Sequence, residues 1–270
     1  MIKMILDNFS LEKISLSGQC FRFKKLSENK YCVIAFGQYL EIEQYENEVT
    51  FHCCEKQFRE IWYNYFDLDN SYSKYMSSVP TTDIYLTKAM LFGKGIVILH
   101  QDIWETILSF VISQQNNIKR IQYIIELLCQ KYGDKKTTQN GTVYYTFPTV
   151  QSLQYVTEQE FQNCNLGYRS KFVVKIVNDI LQKKCDIDYL KSCNYAECKT
   201  ELMKLYGIGQ KVADCICLFG LHHLNAFPID THIKKVLQNH YAEGFPFENY
   251  AGYEGVIQQY LFYYDLYNKD

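Results

Sequence analysis

The stretch best equipped for chemistry is Leu205-Tyr-Gly-Ile-Gly-Gln-Lys211-Val-Ala-Asp-Cys215, continued by Ala226-Phe-Pro-Ile-Asp230-Thr-His232. Lys211 stands in the first turn of a helical pattern, where a cation opposes the helix dipole and stability alone would select an acid. An amine near that positive helix end and partly removed from water is favoured in its neutral form, the form that attacks carbon to make a Schiff base. Cys215 lies four residues on and shares a helix face with Lys211. Asp230 follows Pro228 and precedes a further helical pattern, so it is expected to cap that helix. Cap hydrogen bonds keep a carboxylate ionised, and an ionised carboxylate stabilises the cationic sugar formed as a glycosidic bond breaks. Gly207 and Gly209, one residue apart between two helices, predict a tight hairpin whose amides hold a phosphate without side-chain charge. On residue type alone, a surface lysine, a helix cap and an ordinary turn account for the same residues.

Those residues need a scaffold, and the chain has two textures. From Phe9 to about His52, β-rich runs such as Tyr31-Cys-Val-Ile-Ala-Phe36 and Tyr39-Leu-Glu-Ile-Glu-Gln-Tyr45 alternate with turns at Ser17-Gly18 and Gly37-Gln38. This predicts an antiparallel sheet. After about Tyr63 the period is 3.6 residues, over Ile103 to Phe110, Ile118 to Tyr132, Lys171 to Lys183, Cys198 to Leu205, Lys211 to Leu221 and Thr231 to Asn239. The expected fold is α+β, with an antiparallel β-sheet domain over residues 1–85 and a two-lobed helical body over residues 86–270, its hairpin at about 198–222. The polar, Thr-rich stretch Asp134 to Phe147 is expected to be a loop between helical lobes. With 270 residues, 47% of them hydrophobic, the chain can bury a substantial core.

Lys and Arg number 28 against 30 acidic residues, a net charge of −2, so there is no global basic field and any nucleic-acid contact must be local. The 24 Tyr and 17 Phe read first as AT-rich codon usage and second as base-stacking surface. Eleven cysteines, with Cys53 and Cys54 adjacent and Cys215 and Cys217 two apart, match neither a secreted disulfide framework nor a zinc-binding CxxC pair. They are expected to be reduced, mostly buried thiols. No signal peptide and no run near the roughly 18 apolar residues of a membrane span is visible, which predicts a cytoplasmic protein, chromosome-associated in a prokaryote.

The sequence also resembles the helix-hairpin-helix DNA glycosylases, and among them the 8-oxoguanine DNA glycosylase/lyases. The likeness runs from Ser17-Gly-Gln-Cys-Phe-Arg-Phe23 through Ser109-Phe-Val-Ile-Ser-Gln-Gln-Asn-Asn-Ile-Lys-Arg120, Asn165-Leu-Gly-Tyr-Arg169 and the hairpin to Ala251-Gly-Tyr-Glu254 and Gln258-Gln-Tyr-Leu-Phe262. Motifs in this order are far more specific than the hairpin alone. The resemblance implies a base excision repair enzyme that flips 8-oxoguanine out of double-stranded DNA, preferably opposite cytosine. It would excise the base through a Schiff base on Lys211, with Asp230 as electrostatic partner, and then cleave the strand by β-elimination.

The resemblance implies a base pocket of Gly18, Cys215, Gln258 and Phe262. Cys215 and Phe262 would close on the base, and Gln258 would bond its Watson–Crick edge. The Gly18 carbonyl would accept from the lesion's N7–H, where normal guanine has an acceptor. Gln115 would fill the gap left by the flipped base, with Asn116 and Asn117 beside it on what is expected to be a polar end of a buried helix. Tyr168 would wedge the stack, Arg120 and Arg169 would contact the orphaned base, and His232 would join Gly207 and Gly209 on phosphates. No cofactor is required by this reading. An iron–sulfur cluster is not expected, because no Cys follows Cys217. A structural Na⁺ or K⁺ is implied on the main-chain carbonyls of Met203, Leu205 and Ile208. The enzyme is expected to act as a monomer, with no membrane partner.

Two positions depart from the family pattern: Gln115 stands where asparagine is common, and Tyr206 where the hairpin often has proline. Two other readings stay open at the level of sequence. One is a sister glycosylase for another damaged base, disfavoured for the alkylpurine branch by Lys211. The other is a non-catalytic helix-hairpin-helix DNA-binding module, which would need no Lys–Asp pair.

Overall fold

The computed structural model describes residues 1–268. Five strands, β1 (Ile2–Ile5), β2 (Phe23–Lys25), β3 (Lys30–Ala35), β4 (Gln38–Tyr45) and β5 (Glu48–Phe51), form one antiparallel sheet in the order β1-β5-β4-β3-β2. Register puts Val33 opposite Leu40 and Ile42 opposite Phe51, and all four are buried, so one face of the sheet is continuous core. The sequence reading held for β3 and β4. It missed β1, and it took the region after Phe9 for strand where α1 (Leu11–Leu16) is a helix. Ser10 caps that helix by accepting the Lys13 N–H at 3.3 Å, and Leu11 and Ile14 give only one helical repeat, too few to show as a period.

The helical body contains α2 (Ile84–Gly93), α3 (Ile103–Ser113), α4 (Ile118–Tyr132), α5 (Ser170–Leu181), α6 (Tyr195–Leu202), α7 (Gln210–Gly220), α8 (Thr231–His240) and α9 (Glu254–Tyr267), with shorter helical turns between them. Both α3 and α7 are buried along most of their length, from Ile103 to Ile112 apart from Glu105, and from Val212 to Phe219. They are the central layer. Helix α2 crosses α9 so closely that a Cβ on Gly93 would meet the Tyr260 ring at 2.4 Å.

One hydrophobic core runs from the sheet through α3 and α7 to α9. Two polar connections tie segments distant in sequence together. The buried Arg22 guanidinium bonds the Tyr145 carbonyl and lies 3.8 Å from Glu105 of α3. Asp67, at φ 51°, accepts from the Tyr72 hydroxyl at 2.7 Å and lies 3.2 Å from His100 and 3.5 Å from His222, which follows α7.

Residues 134–147 are not a loop between lobes. They form a second sheet, β6 (Lys135–Thr137) with β7 (Val143–Tyr145), turned through Gly141. The reason is packing that composition does not announce: Lys136 Nζ and the Tyr144 hydroxyl reach the Gly37 carbonyl at 3.1 and 3.3 Å, and Tyr144 packs on Tyr39. The expectation of free thiols throughout is also corrected, since Cys193 and Cys198 form a disulfide. A turn from the short helix Ile187–Ser192 into α6 brings their Cα atoms to 5.9 Å. Among the described residues no helix is long and apolar enough to cross a membrane.

Candidate active site

Lys211 is placed by two packed helices. Phe110 of α3 stacks on Phe219 of α7 at 5.5 Å, and Lys211 Nζ lies 5.6 Å from the Phe110 ring centroid, within cation–π range. Helix α7 starts after Gly209, and no side chain caps it, so its first amides are not used by a cap. A Cβ on Gly209 would meet nothing within 4 Å, which leaves this side of the hairpin open to a ligand backbone. Gly207 is different: it sits at φ 89°, and a Cβ there would lie 2.5 Å from the Phe172 ring. Asp230 caps α8, accepting the Ile233 N–H at 2.9 Å. The structure thus shows its structural role, and that role leaves the second carboxylate oxygen available.

Lys211, Cys215 and Asp230 line one cavity of about 50 Å³ together with Gly18, Gln258 and Phe262, so four motifs far apart in sequence meet at one point. The Phe262 ring closes the cavity, with Cε1 3.2 Å from where a Gly18 Cβ would stand. Gly18, at φ 74°, lies at the end of α1 rather than between strands, which corrects the expected setting of the Ser17-Gly18 turn. Gln259 holds this turn by donating to the Ser17 carbonyl at 2.8 Å, and Gln19 bonds the Ser17 hydroxyl at 2.9 Å. Gln258 donates to the Pro228 carbonyl at 3.0 Å, which fixes its amide orientation, while its buried Oε1 has no partner among the described residues.

The electrostatics differ from the sequence expectation at one residue. Lys211 is pushed towards its ammonium form, first by the Cys215 sulfur and then by Asp230, against a desolvation that favours the amine. Helix position alone had suggested a favoured amine. Burial raises the Cys215 thiol to about 11, so its pull on Lys211 acts only once the thiol ionises in alkali, while at neutral pH Cys215 is an uncharged, apolar wall and Asp230 is the charge that Lys211 meets. His232, two residues past Asp230, presents Nδ1 to Asp265 at 2.7 Å and packs edge-on against Phe262.

The expected DNA-reading residues gather on three loops. The amides of residues 114–117 are not on a helix: α3 ends at Ser113, Gln115 is exposed at φ 48°, and Asn117 caps α4 by accepting the Arg120 N–H at 3.0 Å. The chain turns outward there, leaving Gln115 and Asn117 exposed, and the Asn117 cap starts the next helix. Asn116 bonds back to the Ile112 carbonyl at 3.2 Å. Tyr168 is exposed and Arg120 is exposed, as a wedge and a reader must be. Arg169 is the exception. It is buried, and its guanidinium bonds the carbonyls of Gln114, Gln115 and Leu166, so its donors are engaged by the protein itself. Met203 is exposed at the hairpin while Leu205 and Ile208 are buried beneath it. Sequence reasoning did not single out Phe110, Phe219, Pro228, Ser17 or Gln259 as cavity residues. Only the pairing of Gln259 with Gln258 hinted at a second inward amide.

Comparison with known proteins agrees with this geometry. Residues 1–107 match the model of the 8-oxoguanine DNA glycosylase N-terminal domain, and residues 108–244 match that of the HhH-GPD superfamily of base excision DNA repair proteins. An N-glycosylase/DNA lyase of Saccharomyces cerevisiae is 33% identical over 258 residues, covering 86% of this chain and 68% of the yeast protein. An N-glycosylase/DNA lyase of Arabidopsis thaliana is 27% identical, covering 83% of this chain and 64% of the plant protein. The 8-oxoguanine glycosylase/lyase of Clostridium acetobutylicum, solved with double-stranded DNA containing cytosine opposite 8-oxoguanine, superposes with a TM-score of 0.92 at 37% identity, covering 98% of this chain and 94% of that one. With an 8-oxoguanine DNA glycosylase N-terminal domain joined to a hairpin body that carries Lys211 and Asp230 into one cavity, the chain belongs to the HhH-GPD superfamily of base excision DNA repair proteins.

Proposed function

We propose that the chain is a bifunctional DNA glycosylase and AP lyase that excises 8-oxoguanine from double-stranded DNA, preferably opposite cytosine. The observation that carries the substrate is Gln258: its buried, unpartnered Oε1 lines the same cavity as Lys211 and Asp230. An unmet buried acceptor is costly, and the N1–H and exocyclic amino group on guanine's Watson–Crick edge are the donors that would satisfy it. Gly18 beside it would supply the carbonyl that separates the lesion's N7–H from the N7 acceptor of guanine. Entry of the base requires Phe262 to swing off Gly18, after which it can stack on the base opposite Cys215.

In the reaction the glycosidic bond of the flipped nucleotide breaks with its electron pair leaving on the base, and Asp230 stabilises the resulting cationic sugar until the Lys211 amine attacks C1′. Loss of the amine proton, which the departed base takes up, and ring opening give the Schiff base. Removal of a C2′ proton then expels the 3′ phosphate by β-elimination. The uncapped start of α7 and the open face of Gly209 would hold a backbone phosphate, with His232 at another, oriented by Asp265.

The hairpin also fits a monovalent cation. The Leu205 carbonyl already accepts the Ile208 N–H at 3.1 Å, while no backbone N–H among the described residues is directed at the carbonyls of Met203 and Ile208. A Na⁺ or K⁺ held on these three oxygens would offset repulsion between them and a DNA phosphate.

Borohydride trapping tests the reading. A covalent complex is expected with 8-oxoguanine·C duplex and none with undamaged duplex. Free base released without a trapped complex would exclude the lysine route, and no release from any 8-oxoguanine duplex would exclude the activity.

A further inference from the structure

Gln114, unlike its neighbours, has bonds to two other loops of the DNA-facing surface. Its Nε2 donates to the Gly207 carbonyl of the hairpin at 3.0 Å and to the Val111 carbonyl at 3.3 Å, where the end of α3 would otherwise leave an orphan acceptor. Its own carbonyl accepts from Arg169 Nε at 2.9 Å, from Arg169 Nη2, and from the Tyr168 hydroxyl at 3.4 Å. One residue therefore ties the 114–117 loop to the hairpin on one side and to the wedge segment on the other. A second connection closes the triangle. The Phe172 ring packs on Gly207 and meets Tyr168 at 5.7 Å and Tyr206 at 5.3 Å, with Lys175 Nζ 4.5 Å from the Tyr206 ring centroid. Tyr206 thus has a packing role where the family often has proline.

The next residue, Gln115, is exposed in a left-handed conformation that residues other than glycine rarely adopt. Such a conformation persists only where its surroundings hold it, and here Arg169 bonds the carbonyls of both Gln114 and Gln115. We propose that Gln114 is a positioning residue that locks the gap-filling Gln115 at a fixed distance from the phosphate-binding hairpin. This rests on the functional reading above and adds a mechanism to it. Seating the hairpin on the backbone brings Gln115 to the vacated base position, so strand grip and base displacement proceed as one docking step. The bond to Gly207 needs a neutral donor of this length, and an isosteric side chain without a donor cannot make it.

The test uses the full-length protein with Gln114→Ala and the nearly isosteric Gln114→Met, on duplex carrying 8-oxoguanine opposite cytosine and 2-aminopurine beside the lesion. Both variants are expected to lower single-turnover excision about tenfold and to lower the 2-aminopurine unstacking signal with it. Melting temperature and affinity for undamaged duplex should stay close to the parent, the affinity within roughly threefold. Excision and unstacking within twofold of the parent in both variants would overturn the proposal. So would a parallel fall of excision, undamaged-duplex affinity and melting temperature, which marks a merely structural role, and so would full activity in Gln114→Met alone, which would show that volume rather than donation matters. A parent protein inactive on every 8-oxoguanine duplex would instead remove the functional reading.

Discussion

The setting of Lys211 is made by Cys215 on its own helix and by Phe110 and Asp230 from other parts of the chain, and substitution separates their roles. Lys211→Gln is expected to abolish both base release and the borohydride-trapped complex while lesion binding survives, measured by gel trapping beside a binding titration. Because Cys215, once its thiol ionises, and Asp230 favour the ammonium form, the attacking amine grows as pH rises, so the single-turnover rate should climb on the alkaline side of neutrality. Asp230→Asn should slow excision at least tenfold, since the charge faces the cationic transition state, yet leave melting nearly unchanged, since asparagine still caps α8. Its alkaline rise should also move to lower pH, and a rate within threefold of the parent would reduce Asp230 to a cap. Under the proposed function, preference for the opposite base is expected to fall to Arg120, because Arg169 is engaged by carbonyls. Orphan cytosine offers N3 and O2 as adjacent acceptors to an arginine fork, whereas adenine sets a donor beside its one acceptor. Excision opposite C should exceed that opposite A by about tenfold or more, and Arg120→Ala should erase the difference; equal loss opposite both bases would make Arg120 a phosphate contact.

At the scale of elements, the residues legible in the sequence are those with a local rule behind them. Helices α4, α7 and α8 lie within a residue of their expected bounds, because a 3.6-residue period marks all three and the cap Asp230 marks the start of α8. The turn at residues 114–117, the β6–β7 sheet and the bonding of Arg169 follow from contacts tens of residues away, which no local pattern encodes. Lys211, Asp230 and the hairpin were visible as types at a spacing; Gly18, Gln258 and Phe262 came from resemblance, and only folding shows them around one cavity. The hairpin glycines make unequal demands. Gly207→Ala forces a left-handed alanine against Phe172 and should cost on the order of 1–3 kcal/mol, read as a lower melting temperature with weaker binding to undamaged duplex. Gly209→Ala, facing open space at φ −95°, should melt close to the parent, and equal losses in the two variants would refute this account.

The whole molecule responds to pH through groups far from the cavity. Burial raises the Glu105 carboxyl from 4.5 to about 7, against the opposing pull of Arg22, so the folded state keeps a proton that the unfolded chain releases earlier. Between these values the native state binds more protons, and stability falls as pH rises, by on the order of 2–4 kcal/mol. Denaturant titration across this range should show the decline, and Glu105→Gln should flatten it; an unchanged slope would refute the assignment. Asp67 acts in the opposite sense. Held below the usual carboxylate range by His100, His222 and Tyr72 despite its burial, it adds stability above its unfolded pKa that is lost in acid. The cross-links that carry these charges, and the β6–β7 strap across Gly37, also bear on inheritance. Lys136 and Tyr144 are matched to a turn about a hundred residues earlier, so an exchange of the N-terminal sheet between relatives would have to carry residues 134–147 with it. The two textures of the sequence are therefore not two interchangeable modules, and recombination breakpoints between them should be tolerated only where strap and turn travel together.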